Sequence, residues 1–360
     1  MPTKTYQLHR NFKGHTRPIN CLRFSRNGAY LASGADDGNI LVWSIHDNSL
    51  SRIIEPRQGP IVALQWLTSR QKGDGDYLVS GGADGTVQLW FQLHSGDSFR
   101  FLIMYTVLDG PIEDITINDA QDILVVIGLG RVVLFSVRLD QQSPLKLIHA
   151  EPAMPDPPTR ALARSVHFFR DGQCFMVFYL DSKEMQVVLL NSSQGHPIHA
   201  RTCSLAWQIS PWCLLWRNKL TTRIGNTSWS EENRMLLVWN LLDGVDVYHF
   251  KDEPTDRFTL VRKLRMKIRV SHCVQVDFDL HGKTAIHGSD NGEVFLWTVD
   301  SGEQVQVLTH GHGIFILFLT YHSPQSNKHF IASGSSDVED VEASIKVWSL
   351  GSVRSEFDAE

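Results

Sequence analysis

No stretch of this sequence approaches the run of about 18 apolar residues that a membrane span requires. The opening MPTKTYQLHRNFKGH places no apolar segment behind its charged residues, so it does not read as a secretory leader. Cysteine is scarce, with five in 360 residues. Cys21, Cys174, Cys203, Cys213 and Cys273 are scattered and form no CxxC pair, which argues against a disulfide framework and a zinc site. A dominant charge of one sign is also missing. Lys and Arg number 34 against 39 Asp and Glu, for a formal net charge of -5, so phosphate backbones meet no whole-molecule attraction and nucleic acid is not an expected partner. These absences leave an intracellular chain, cytoplasmic, nuclear or both, without membrane insertion. Sequons at Asn191 and Asn226 then read as chance matches.

What is present is apolar material and periodicity. Hydrophobic residues make up 42% of the chain and charged residues 20%, which suits a sizeable core. A repeat is visible in GHTRPINCLRFSRNGAYLASGADDGNILVW, Gly14 to Trp43. It holds a Gly-His pair, an alternating apolar strand, an Asn27-Gly28 turn, a second strand, an Asp-Gly turn and a third strand ending in Trp. The pattern returns as GPIVALQW with YLVSGGADGTVQLW to Trp90, as VQVDFDLHGKTAIHGSDNGEVFLW to Trp297, and as GHGIFILFL, FIASGSSD and SIKVW to Trp348. Weaker copies close on Phe135, near Leu190 and on Tyr248. Seven units result, closing near 43, 90, 135, 190, 248, 297 and 348, with insertions expected at Pro144 to Pro158 and Gln194 to Thr222.

These residues resemble the WD40 repeat family, whose units begin near Gly-His and end near Trp-Asp. The closing Asp is absent here: Trp43-Ser44, Trp90-Phe91, Trp297-Thr298 and Trp348-Ser349. The resemblance implies an all-β fold, a single seven-bladed β-propeller over residues 1–352 with a short tail at 353–360. Tyr6 to Phe12 precedes the first Gly-His with no other partner, and the last unit lacks a fourth strand. The N-terminal strand is therefore expected to close the last blade, protecting sheet edges.

The resemblance also implies a buried hydrogen-bond network of Trp, Ser, His and Asp. Complete sets are His15, Ser33, Asp37 and Trp43, and His312, Ser333, Asp337 and Trp348. A buried indole N–H needs an acceptor, a hydroxyl supplies it, and a carboxylate fixes the imidazole. The second unit keeps Ser80, Asp84 and Trp90 but has Pro60 where the His would stand. The sixth has His287 and Asn291 in the Ser and Asp positions. A hydrolase triad is disfavoured, because the set repeats and no GxSxG elbow surrounds either Ser.

Loops ahead of each unit's first strand lie on one face of such a propeller, the usual partner face of the family. Arg17, Arg57, Arg160, Arg223 and Arg269 fall in or beside them and are candidates for binding acidic or phosphorylated peptides, since Arg meets oxyanions bidentately. VRKLRMKIRV, Val261 to Val270, alternates basic and apolar residues. It reads as an outer strand with Arg265, Lys267 and Arg269 on one face, or as a landing site for an acidic partner. Asp277 and Asp279 read as solvent-facing strand residues. Trp207, Trp212 and Trp216 crowd a segment that fits no strand period and reads as a possible partner loop. His310-Gly311-His312 is a poor metal pair, and neither a metal nor a cofactor is expected.

The expected function is a non-catalytic protein-protein interaction scaffold or adaptor, one propeller within a multiprotein complex. A substrate receptor of a cullin-type ubiquitin ligase is the second reading, weakened because no Trp-Asp-x-Arg occurs at the clear blade ends. A propeller hydrolase is the third, and no repeated carboxylate pair supports it.

Overall fold

A computed structural model of the chain describes residues 4–67, 75–93, 98–118, 122–150, 162–180, 184–190, 208–209, 212–252, 257–279, 281–311, 314–322, 329–336 and 343–352. Every regular element among them is a β-strand. After β1 (Lys4–Lys13), the first sheet is β2 (Ile19–Phe24), β3 (Tyr30–Ala35), β4 (Ile40–Ser44) and β5 (Ser49–Ile54). The second is β6 (Ile61–Leu67), β7 (Gly75–Gly82), β8 (Thr86–Leu93) and β9 (Arg100–Thr106). The third is β10 (Asp114–Asn118), β11 (Ile123–Gly128), β12 (Arg131–Val137) and β13 (Leu145–Ala150). The fourth takes β14 (Ala163–Phe169), β15 (Cys174–Tyr179) and β16 (Glu184–Leu190), then β17 (Gln208–Ile209) and β18 (Trp212–Lys219), with β18 beside β16 and β17 outermost. The fifth is β19 (Asn226–Ser230), β20 (Met235–Trp239), β21 (Gly244–Phe250) and β22 (Phe258–Arg265). The sixth is β23 (Val276–Phe278), β24 (Thr284–His287), β25 (Glu293–Thr298) and β26 (Gln304–Thr309). The seventh is β27 (Phe318–His322), β28 (Phe330–Gly334) and β29 (Ser344–Ser352), and β1 lies antiparallel along β29 with Tyr6 opposite Leu350 and Phe12 opposite Ile345.

The first strand of each sheet touches the first strand of the next, and β27 returns to β2. That arrangement is an all-β propeller. Short turns carry the meander: Gly28 and Gly38 sit at φ +68° and +79°, a conformation that suits glycine after Asn27 and Asp37.

Every apolar core lies between two successive sheets. Leu22, Leu31 and Trp43 of the first pack with Phe330 and Ile345 of the seventh, and Val79 and Leu89 of the second pack with Leu124 and Phe135 of the third. Stability therefore comes from nearest-neighbour interfaces. Two glycines show how close the approach is. A Cβ on Gly34 would stand 2.5 Å from Ile61 Cγ2, and one on Gly334 would stand 2.8 Å from Ile19 Cγ2, so each second strand leaves room for a fully buried isoleucine of the neighbouring sheet.

Three expectations need correction. The stretch from Pro144 is not all insertion, since Leu145–Ala150 is the outer strand of the third sheet, and 151–158 lie outside the described residues. Trp212 and Trp216 lie in a strand, β18, not a loop; Trp216 is buried at 6.2 Å from the Phe250 ring, and Trp207 lies outside the described residues. The alternating segment ends as a strand at Arg265, although Lys267 and Arg269 still point outward while Met266 and Ile268 pack inward.

Candidate partner-binding face

The sheets hold their shape around tryptophans in the third strand. Trp43 Nε1 donates to Ser33 Oγ at 2.9 Å, and Ser33 Oγ lies 2.8 Å from His15 Nε2. His15 Nδ1 faces Asp37 Oδ2 at 2.9 Å. A carboxylate partner fixes the proton on Nδ1, leaving Nε2 to accept from Ser33, so the bonds run in one direction. Burial pushes the Asp37 carboxyl up, but bonds from His15, Asn39 and Thr16 outweigh it and hold the group below its ordinary value. The charge stays inside a structural network.

The same register recurs with other side chains. Trp43, Trp90, Trp297 and Trp348 lie opposite Leu31, Leu78, Ala285 and Ile331. In each case the indole acceptor stands two residues further on, at Ser33, Ser80, His287 and Ser333. In the second sheet Gln58 stands in for the missing imidazole. Trp90 donates to Ser80, Ser80 Oγ to Gln58 Oε1 at 2.6 Å, Gln58 Nε2 to Thr86 Oγ1 at 2.8 Å, and Thr86 to Asp84 at 2.7 Å. In the sixth, Trp297 Nε1 donates to His287 Nε2 at 2.9 Å, and Nδ1 lies 2.7 Å from the Gly288 carbonyl, so His287 is the neutral Nδ1–H tautomer. Burial pushes it down to about 4.

In the seventh sheet the imidazole of His310 sits on Ser333. His310 Nδ1 lies 2.9 Å from Ser333 Oγ and Nε2 3.1 Å from Ser344 Oγ, with Trp348 Nε1 donating to Ser333 at 3.1 Å. His312 and Asp337 lie outside the described residues. Sequence reasoning missed Gln58, Thr86, His310 and Ser344 because it fixed the imidazole by its distance from the first strand. His15, Gln58 and His310 precede the equivalent buried residues Ile19, Ile61 and Ile316 by four, three and six positions.

The arginine candidates occupy one class of loop, leading from the outer strand of one sheet to the inner strand of the next. Arg17 lies between β1 and β2, Arg57 between β5 and β6, Arg223 between β18 and β19, and Arg269 between β22 and β23, all exposed. Arg160 lies outside the described residues. The four stand in front of the first, second, fifth and sixth sheets. Their loops are held from within: Asp290 Oδ2 accepts from the backbone N of Arg269 and Val270 at 2.5 and 2.7 Å.

The central channel carries a second polar set that the sequence did not announce. Asp277 turns away from open solvent, contrary to expectation. Its Oδ1 accepts from Ser228 Oγ at 3.2 Å and its Oδ2 from the backbone N of Tyr321 at 3.1 Å. Asp114 does the same in the third sheet, accepting from the N of Val166 at 3.1 Å, with Arg23 at 3.8 Å. Burial raises both carboxyls, and it pushes His167 down to about 4. These groups latch the inner strand of one sheet to the next. Among the described residues, no group of three or more His, Cys, Asp and Glu could hold a metal ion.

A tryptophan-anchored antiparallel sheet, repeated around a channel, defines a WD-repeat propeller, and the comparisons agree. The family model for the WD domain, G-beta repeat, matches residues 6–44 and 70–90, so these stretches are similar to WD40 repeats. It is similar to the chromatin assembly factor 1 subunit FAS2 homolog of Oryza sativa subsp. japonica, 33% identical over 96 residues, 25% of this chain and 18% of that protein. The human F-box-like/WD repeat-containing protein TBL1X is 34% identical over 89 residues, 24% of this chain and 14% of its own length. Elongator complex protein 2 of Rattus norvegicus is 25% identical over 122 residues, 31% of this chain and 15% of that protein. The matched stretch spans less than a fifth of each relative. No helix among the described residues is long and apolar enough to cross a membrane.

Proposed function

We propose that this chain is a non-catalytic scaffold, a single seven-bladed propeller over residues 1–352 that holds other proteins inside a complex. Seven sheets among the described residues, with β1 laid along β29, support the ring closed by the N-terminal strand. The observation that carries the scaffold reading is the position of Arg17, Arg57, Arg223 and Arg269, exposed in the same class of loop on separate sheets. A rigid disc displaying cations at separate points suits an extended acidic or phosphorylated peptide, which can bridge several of them. The polar networks support a non-catalytic reading, because Trp43, Ser33, His15 and Asp37 bond to one another, and His310 bonds to Ser333 and Ser344. The relatives' names, a chromatin assembly factor subunit and an Elongator complex protein, support work within assemblies in the nucleus, the cytoplasm or both.

The test is affinity purification of the tagged chain beside the reversal R17E/R57E/R160E. Partners retained by the native chain and lost from a still folded variant are expected. Equal capture by both removes the arginine face.

A further inference from the structure

The turn between β20 and β21 carries Leu242, the most exposed large apolar side chain among the described residues at 73%. One exposed leucine is ordinary, but the way this one is held is not. Leu241 before it has φ +64°, a left-handed conformation usually left to Gly or Asn. Such strain persists only where neighbours enforce it, and it concentrates at working sites. Asn240 Oδ1 accepts from the backbone N of Leu242 and of Asp243, both at 2.9 Å. Asn240 Nδ2 donates to Asp243 at 2.8 Å and to the fully buried Asp246 at 3.1 Å, which also accepts from Thr222 Oγ1 at 2.9 Å. Leu242 therefore projects from a stiff turn, and a contact made on it loses little conformational freedom.

The adjoining loop supplies the chemistry around it. Ser271 Oγ donates to the Leu241 carbonyl at 2.9 Å, which brings Val270, 45% exposed, beside the turn. Met266 N donates to the Asp243 carbonyl at 3.0 Å, and Met266, Ile268 and Leu241 share one apolar cluster. With those two side chains turned in, Lys267 and Arg269 are turned out, exposed and without an ion pair to any described residue. The nearby acids are already engaged: Asp243 pairs with Arg265, and buried Asp290 accepts the two backbone N–H groups of this loop. An apolar pair is thus bordered by two cations that pair with no acid among the described residues, on a chain whose formal net charge is -5.

We propose that Leu242 and Val270, with Lys267 and Arg269, form a docking surface for an acidic amphipathic segment of a partner protein. Apolar side chains of that segment cover Leu242 and Val270, and its carboxylates meet Lys267 and Arg269, which fixes orientation and disfavours basic segments. The proposal rests on the scaffold reading and deepens it, moving the main contact to the boundary of the fifth and sixth sheets.

The test uses the full chain and labelled peptides in fluorescence anisotropy: a Leu/Glu amphipathic peptide, its copy with Ser for Leu, and a Leu/Lys copy. Saturable, salt-sensitive binding of the Leu/Glu peptide alone is expected, weakened about tenfold by L242S and again by K267E/R269E. Both variants change exposed residues, and a melting curve checks that each is folded. No binding by the Leu/Glu peptide, equal binding by the Ser copy, or indifference to L242S overturns the docking surface. Stronger binding to phosphatidylserine vesicles than to the peptide overturns it in favour of a membrane surface. Partner capture lost in R17E/R57E/R160E but kept in L242S sinks this surface and spares the scaffold. The reverse pattern sinks the arginine face alone.

Discussion

In the first sheet the third strand presents Trp43, and its buried N–H is answered by Ser33, His15 and Asp37. In the third sheet the same register holds Phe135 opposite Leu124, and the residue two further on is Val126 where the first has Ser33. Phenylalanine has no polar atom, so nothing there needs an acceptor, and Val126, Val133 and Phe135 close the space with apolar contact alone. Both sheets are four-stranded and both are tightly buried. The difference teaches that the polar network is a consequence of choosing tryptophan, and that the propeller does not require it at every position.

Four measurements would break or sharpen that comparison. The largest effect is expected from deleting residues 1–12, which removes nearly all of β1, including Phe12, buried and stacked on Trp43 at 4.9 Å. It also exposes β29 as an edge. Thermal unfolding should lose its cooperative transition, and an unchanged melting curve would count against closure by that strand. Next is Phe135→Ala in the apolar sheet, where a fully buried ring is lost and a cavity remains, at a cost of about 3–5 kcal/mol by chemical denaturation. Ser33→Ala should cost less, about 1–3 kcal/mol, from leaving Trp43 Nε1 and His15 Nε2 without their shared partner. If Ser33→Ala proves the costlier of the two, the network is more than an accessory to tryptophan.

The smallest effect is the pH dependence contributed by histidines that burial keeps neutral. His167 and His287 are pushed from 6.5 down to about 4, so between those values the unfolded chain binds protons that the folded chain does not. Their stabilising contribution is full above about pH 6.5 and is lost as the pH falls toward about 4. The raised carboxyls of Asp114 and Asp277 act in the opposite direction, gaining stability as the pH falls, so the difference between native chain and H287Q isolates the imidazole. The melting temperature of H287Q should fall less steeply across that window, and parallel curves would refute the assignment.

The parts of the fold legible in the sequence were those with a chemical reason to repeat. The Trp and its acceptor are locked by ladder register, so Trp43 with Ser33 and Trp90 with Ser80 keep one spacing that reads directly from the chain. The third partner comes from a loop whose length is free, so Gln58 and His310 were invisible to a fixed offset. Phe135 and Tyr248 marked their strands by apolar alternation alone, which sufficed to find them. Outer strands were the hardest. β13 and β18 lie within the Pro-rich and the Trp-crowded stretches, and their pairing with β12 and β16 is decided by long-range contact that local pattern does not carry. Arg17, Arg57, Arg223 and Arg269 were legible as a set because they lie just ahead of first strands, but Leu242 was not. Its exposure follows from a left-handed residue before it, and nothing in Asn-Leu-Leu-Asp-Gly marks that conformation.

The ladder between β1 and β29 joins Tyr6 to Leu350, 344 positions later in the chain. During synthesis at about 5–20 residues per second, β1 therefore waits of the order of tens of seconds for its partner. Throughout that interval Phe12 and its neighbours stand as an unpaired edge beside a growing stack of finished sheets. The growing chain thus carries an unpaired strand edge over that whole interval, and a ribosome stalled before β29 leaves β1 open to pairing with another copy.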